Sequence, residues 1–212
     1  MATTVEVANV ALSRIGIDQL LESLDDPRPA GVMTSLHLEP TRQQMLEDYN
    51  WSFASRVVAL ALVADVEIPG YTYVYRYPVN CLKLRQLTDD QGARVIRTFW
   101  NELDHQTIQR NPYTVHADPD TAGSRIICTD IQFAYAWYTH NVDDPNMMPA
   151  LFRSAWAWKI ASELAIGLRT DANRAQFCHE QYRLDVSRAT AQMLNEQALD
   201  RAPEPETISG RW

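Results

Sequence analysis

From Tyr71 to Tyr77 the chain reads Tyr-Thr-Tyr-Val-Tyr-Arg-Tyr. A period of two places all four phenols on one face of an extended strand. Pro78 has no N–H to donate and interrupts the ladder there. Leu82 and Leu84 then restart the alternation, with Lys83 and Arg85 facing the other way. None of these side chains forms a reactive pattern. The stretch reads as a packing surface, which points to assembly rather than catalysis.

The same extended signature fills the middle of the chain. Strands are expected at 56–63, 71–77, 82–87, 94–100, 113–116, 125–128 and 132–138. In the last of these, Phe133, Tyr135 and Trp137 alternate with Ala134 and Ala136, the pattern of a half-buried strand. Pro69-Gly70, Asp89-Asp90-Gln91-Gly92, Asn111-Pro112 and Asp118-Pro119-Asp120 supply turn signals between them.

Both ends of the chain read as helix. Thr3 followed by Glu6 fits a capping box, and Ala8, Ala11, Leu12 and Ile15 form one apolar stripe. Gly16 suits a left-handed stop. Asp25 to Gly31 reads as a loop, and a helix is expected over 32–50, with Pro40 marking a break or a new first turn. Met45, Leu46 and Tyr49 supply its apolar face. Leu151 to Leu168 is apolar almost all round, with Arg153, Lys159 and Glu163 as its only charges. Such a helix is buried by its own domain or by neighbouring subunits. Thr170 and Asp171 can cap the next helix, which carries Ala175, Cys178, Tyr182, Val186, Ala189 and Met193 at spacings of three and four.

These periods specify an α+β fold. A helical bundle is expected from 1–52 and 141–199, with an antiparallel, barrel-like β region inserted at 53–140. Residues 200–212 carry two prolines among polar residues and read as a flexible docking tail, in which Ile208 and the terminal Trp212 are the apolar anchors.

Composition narrows the function. The 212 residues are 46% hydrophobic, enough for a core, and no apolar run approaches the ~18 residues that span a bilayer. Glu6 lies in a start with no basic segment, so no signal peptide is expected and the cytoplasm is the simplest compartment. A net charge of −8 argues against a reader that works by neutralising phosphates. Cys81, Cys128 and Cys178 are dispersed with no C-x-x-C pair, and read as reduced, partly buried thiols.

Motifs for chemistry are absent. No two of the five histidines sit at i, i+4, and there is no nucleophile elbow, P-loop or dinucleotide fingerprint, so no cofactor and no metal are expected. Glu102, Asp104 and His105 gather two carboxylates and an imidazole of the kind that serves acid–base work. Were the chain a cell-wall hydrolase, Glu102, Asp104 and Glu163 would be the candidates. Asp143-Asp144 reads as a helix-start region. The tyrosine face could stack single-stranded nucleic acid, but no basic groove accompanies it.

Four segments stand in order along the chain: Ala11-Leu12-Ser13-Arg14-Ile15-Gly16; Pro40-Thr41-Arg42 through Met45-Leu46 into Trp51-Ser52-Phe53-Ala54; Tyr75-Arg76-Tyr77-Pro78-Val79-Asn80-Cys81-Leu82-Lys83-Leu84; and Pro149-Ala150-Leu151-Phe152-Arg153-Ser154-Ala155-Trp156-Ala157-Trp158 into Ala161-Ser162-Glu163-Leu164-Ala165. Together they resemble the head-to-tail adaptor family of tailed bacteriophages, whose members in short-tailed phages are called tail tubular protein A. Asn80 stands where relatives commonly carry an acidic residue.

The resemblance implies a non-enzymatic structural protein of the virion, assembled in the host cytoplasm. It implies a homo-oligomeric ring, commonly of twelve copies, between the portal protein and the tail tube or nozzle, with genome DNA passing through the lumen without specific binding and no membrane contact. On this reading Trp156, Trp158, Tyr182, Ile208 and Trp212 serve the portal and subunit interfaces, and Tyr71, Tyr73, Tyr75 and Tyr77 form the tail-side β surface.

Overall fold

The computed structural model describes residues 3–64, 66–90, 92–93, 112–168 and 172–195. In chain order its elements are α1 (Thr4–Arg14), α2 (Pro29–Asp48), β1 (Ser55–Ala59), β2 (Tyr73–Arg76), β3 (Cys81–Thr88), β4 (Tyr113–Ala117), β5 (Arg125–Thr129), β6 (Tyr135–His140), α3 (Ala150–Gly167) and α4 (Ala172–Asn195). The class is α+β, as the change of period in the sequence requires. The expected strand at 94–100, the caps at Thr170 and Asp171 and the tail at 200–212 lie outside the described residues.

Helix α1 begins and ends as its sequence dictates. The Glu6 N–H donates to the Thr3 hydroxyl (3.1 Å) and the Thr3 N–H donates to the Glu6 carboxylate (2.8 Å), the reciprocal capping box. At the other end Gly16 takes φ +84°, Gly16 N–H bonds to Ser13 O and Ile17 N–H bonds to Leu12 O. This pair of bonds is a Schellman closure, and only a residue without Cβ enters that backbone region freely.

Helix α2 departs from expectation at both its start and its middle. It starts at Pro29, inside the segment read as loop, because proline at the first helical position sacrifices an N–H that has no helical partner anyway. Pro40 lies within it and does not break it. An internal proline costs roughly 3 kcal/mol. The buried residues on both sides of Pro40 (Leu38, Thr41, Arg42, Met45 and Leu46) hold the helix against α3 across that defect. The Arg42 guanidinium, itself buried, bonds to the Val142 carbonyl and to Glu39.

The bundle is organised around α3, which packs against α1, α2 and α4, while those three touch one another little. Most of its nearly all-apolar surface is therefore covered by its own chain, with Ile166 left exposed. Trp51, Phe53 and Phe152 close one end of the core edge to face, with ring centroids 5.0 Å apart for both phenylalanine contacts. Helix α4 buries the stripe read from its spacing from Ala175 to Ala189, with Asp185 added to it, while Met193 is only half-buried.

Among the described residues the β region closes into no barrel and forms two three-stranded antiparallel sheets, ordered β1-β6-β3 and β2-β5-β4. A single pairing of Leu62 with Tyr75 links them, where the chain leaving β1 runs alongside β2. One core cluster draws Tyr75 and Ile127 from one sheet and Leu87, Ala136 and Tyr138 from the other, so the two sheets share an interior.

Strand β6 corrects the half-buried reading. It is the central strand of its sheet, and Ala136 through Thr139 are all buried. One face lies in the shared core. On the other, Thr139 accepts from Arg85, whose guanidinium also reaches α2. Phe133 falls outside the strand, in a loop, with φ +57°. Asp144 caps a short 3-10 turn, Pro145–Met147, and not an α-helix.

Candidate interaction surfaces

The tyrosines keep their period but not their expected exposure. Tyr73, Tyr75 and Tyr77 share one side and pack onto the core between the sheets. Tyr75 is buried; its hydroxyl donates to Ile131 O (2.8 Å) and accepts from Ala134 N–H (3.4 Å). The Arg125 guanidinium stacks 3.9 Å from the centre of the Tyr77 ring, and burial pushes the Tyr77 phenol well above its ordinary value. Tyr71 lies before the strand and packs instead beside Val66, Val74 and Ile126. The four phenols therefore form no common exposed platform, for a tail contact or for stacking bases. Both sides of this strand are covered, and an alternating pattern alone does not say which side faces water.

The aromatic residues assigned to the helical interface also separate. Trp156 is fully buried; its indole N–H donates to Thr41 Oγ1 (3.1 Å) and Leu38 O (3.3 Å). It is a core residue that ties α3 to α2 and has no surface to offer a partner. Tyr182 is likewise buried, with the Lys159 ammonium 4.8 Å from its ring, and burial pushes its phenol up to about 12. Trp158 is half-buried: Arg14 stacks 3.9 Å from its ring centre and Phe177 meets it edge-on at 5.9 Å. Only Trp158 of these three reaches the surface. Ile208 and Trp212 lie outside the described residues, as do Glu102, Asp104 and His105.

The polar constellation that most resembles a site is Arg14–Ser154–Asp185. Arg14 donates to the Ser154 carbonyl (2.8 Å) and hydroxyl (2.9 Å), and that hydroxyl donates to Asp185 (2.7 Å). Ser154 already uses both its donor and an acceptor, and no imidazole joins it. The chain of bonds satisfies a buried carboxylate and links α1, α3 and α4. Among the described residues no three His, Cys, Asp or Glu side chains are grouped to hold a metal ion, and no helix is long and apolar enough to cross a membrane. Glu163, the remaining acid–base candidate, sits half-buried on α3.

Sequence reasoning missed the apolar groups that do face outward. On the β region these include Phe133 (75% exposed), Val79, Leu62 and Val115; in the helical half they include Val32, Leu36 and Ile166 on the helices and Leu20 in the loop between α1 and α2. Leu60 N–H bonds to Ala134 O, and Leu62 pairs with Tyr75, whose hydroxyl holds the 131–134 loop. Phe133 and Leu62 thus project from neighbouring segments pinned by one tyrosine. Where such groups adjoin one another they commonly mark contact surfaces.

No protein-family profile and no curated protein matches this chain.

Proposed function

We propose that this chain is a structural adaptor of a tailed bacteriophage virion, a subunit of the ring that joins the portal to the tail tube or nozzle and surrounds the genome-ejection channel. An adaptor of this kind meets unlike partners through unlike parts of one subunit. The observation that carries the reading is that outward apolar groups sit on both halves of the molecule, Leu36 and Ile166 on the helices and Val79 and Phe133 on the β region. The helical half is then the portal side and the β half the tail side.

The joint between the halves supports the same reading. The Arg85 side chain on β3 donates to the carbonyls of Leu46, Glu47 and Tyr49 at the end of α2, and Lys83 donates to Glu47 O. A coupler that carries load between head and tail needs such a joint. In this reading Ile208 and Trp212 engage the portal or a neighbouring subunit, Trp158 contributes to the helical interface, and the tail-side contact is made by the loop residues Phe133 and Leu62 in place of the tyrosine strand. The net charge of −8 keeps DNA from adhering where that charge faces the channel.

The test is to mix the purified chain with the portal ring of the virus that encodes it and to image the mixture by electron microscopy, with each component alone as control. A new collar beneath the portal is the expected result. Intact, folded partners that form no complex would overturn the reading.

A further inference from the structure

The first half of helix α2 carries apolar residues on its outward side as well as on its buried side. Thr34, Leu38, Thr41 and Met45 turn towards α3, while Val32, Leu36 (62% exposed) and Pro40 form an i, i+4 strip facing outward. Ile166, near the end of α3, extends the apolar area where Gly167 abuts Met33. A helix that is apolar on its outer face lacks a partner. The loop that leads into this helix is acidic: Asp18, Glu22 and Asp25 are exposed, and Arg28 is held by Asp26.

Helix α4 presents the converse. Its buried side faces α3, and its outer side exposes Phe177 and Leu184. Exposed Arg174, Arg183 and Arg188 border them, against the single exposed acid Glu180. The two apolar strips have similar reach, about 12 Å from Val32 to Pro40 and about 10 Å from Phe177 to Leu184 at the helical rise. Both helices direct their buried sides at α3, so the strips lie on different sides of the bundle.

We infer that the outer face of α2 in one copy of this chain docks against the outer face of α4 in the next, with the acidic α1–α2 loop meeting the arginines of α4. Two unlike, complementary patches on one molecule make a heterologous contact, which propagates into a ring or a filament and not an isolated dimer. This interface rests on the ring reading above and names the surfaces that would close it.

The buried native thiols make the test clean, since an added surface cysteine is then the reactive one. Single-cysteine additions are made on α2 (Val32→Cys, Leu36→Cys) and on α4 (Phe177→Cys, Leu184→Cys), and oxidised singly and in α2–α4 mixtures. Mixed α2–α4 disulfides are expected, with little product from any variant alone. In parallel, sedimentation of the unaltered chain up to about 1 mM should show self-association. Arg183→Glu should weaken it about tenfold, and Asp25→Arg in the same chain should restore it. Absence of mixed disulfides in all four mixtures, dominant same-variant dimers, or a chain that stays monomeric throughout would each overturn this interface. The collar seen with the portal is a separate readout, so the adaptor reading can survive that failure.

Discussion

The Arg85 guanidinium, projecting from the edge strand β3, donates to the Tyr49 carbonyl at the end of α2 at 2.8 Å. The same side chain bonds to Leu46 O (3.3 Å), Glu47 O (3.1 Å) and, through Nε, Thr139 Oγ1 (2.9 Å). The last carbonyls of a helix have no helical donors, and the negative end of its dipole favours a cation. One arginine thus caps α2 and fastens the helical half to the β half.

Arg85→Ala is expected to destabilise the fold by about 2–3 kcal/mol, because several charge-assisted bonds vanish and their carbonyls are left without donors. Arg85→Lys should recover only part, since an ammonium cannot span four acceptors with a planar fork. Urea unfolding followed by tryptophan fluorescence measures both. An Arg85→Ala protein as stable as the parent would show that the clamp is dispensable.

Trp156 and Trp158 should behave oppositely although they are two residues apart. Trp156→Ala opens a cavity in the bundle core and abandons Thr41, at a cost of about 3–5 kcal/mol. Trp158→Ala removes the stacking of Arg14 and Phe177 at a half-exposed site, which costs about 1 kcal/mol. Thermal melts of the two variants, run side by side, test this ranking.

The three thiols are buried, and burial raises the pKa of each above its ordinary value. Few thiolates form at mild alkaline pH, and none is presented to a reagent. The native protein should therefore react slowly with an aromatic disulfide reagent at pH 8 and release three equivalents once unfolded. A fast equivalent from the folded protein would contradict the packing around that cysteine.

Acid should weaken the fold in a specific window. Burial, reinforced by Arg56 and opposed by Asp143, lowers the His140 pKa, and its Nδ1 is buried without a hydrogen-bond partner. The unfolded chain then binds a proton more readily than the folded one. The His140 contribution is complete above the ordinary value of 6.5 and is lost as pH falls through 6.5 towards the lower folded value. Melting temperatures between pH 8 and 5 should drop for the parent and drop less for His140→Gln.

Phe133 holds a left-handed backbone (φ +57°) with a bulky, exposed side chain. That conformation costs about 1–2 kcal/mol for an ordinary residue and less for asparagine. Phe133→Asn is expected to raise the melting temperature slightly. A loss of stability would mean that the ring packs favourably on its own loop.

Local chemistry was legible from the sequence wherever a few neighbouring residues decide the outcome. The Thr3–Glu6 box, the Gly16 stop, the β character of the middle and the buried stripe of α4 all follow from spacing and from backbone preferences that act within one or two turns. Tertiary structure decided what those elements face. Period two put Tyr73, Tyr75 and Tyr77 on one side, yet only the facing sheet turned that side inward. Packing on α3 carried α2 through Pro40, and neighbours on both edges and both faces buried β6. The Arg85 clamp joins residues more than thirty positions apart. Propensity and period act along the chain, whereas burial and long-range bonding depend on which surfaces meet, and no local pattern specifies that meeting.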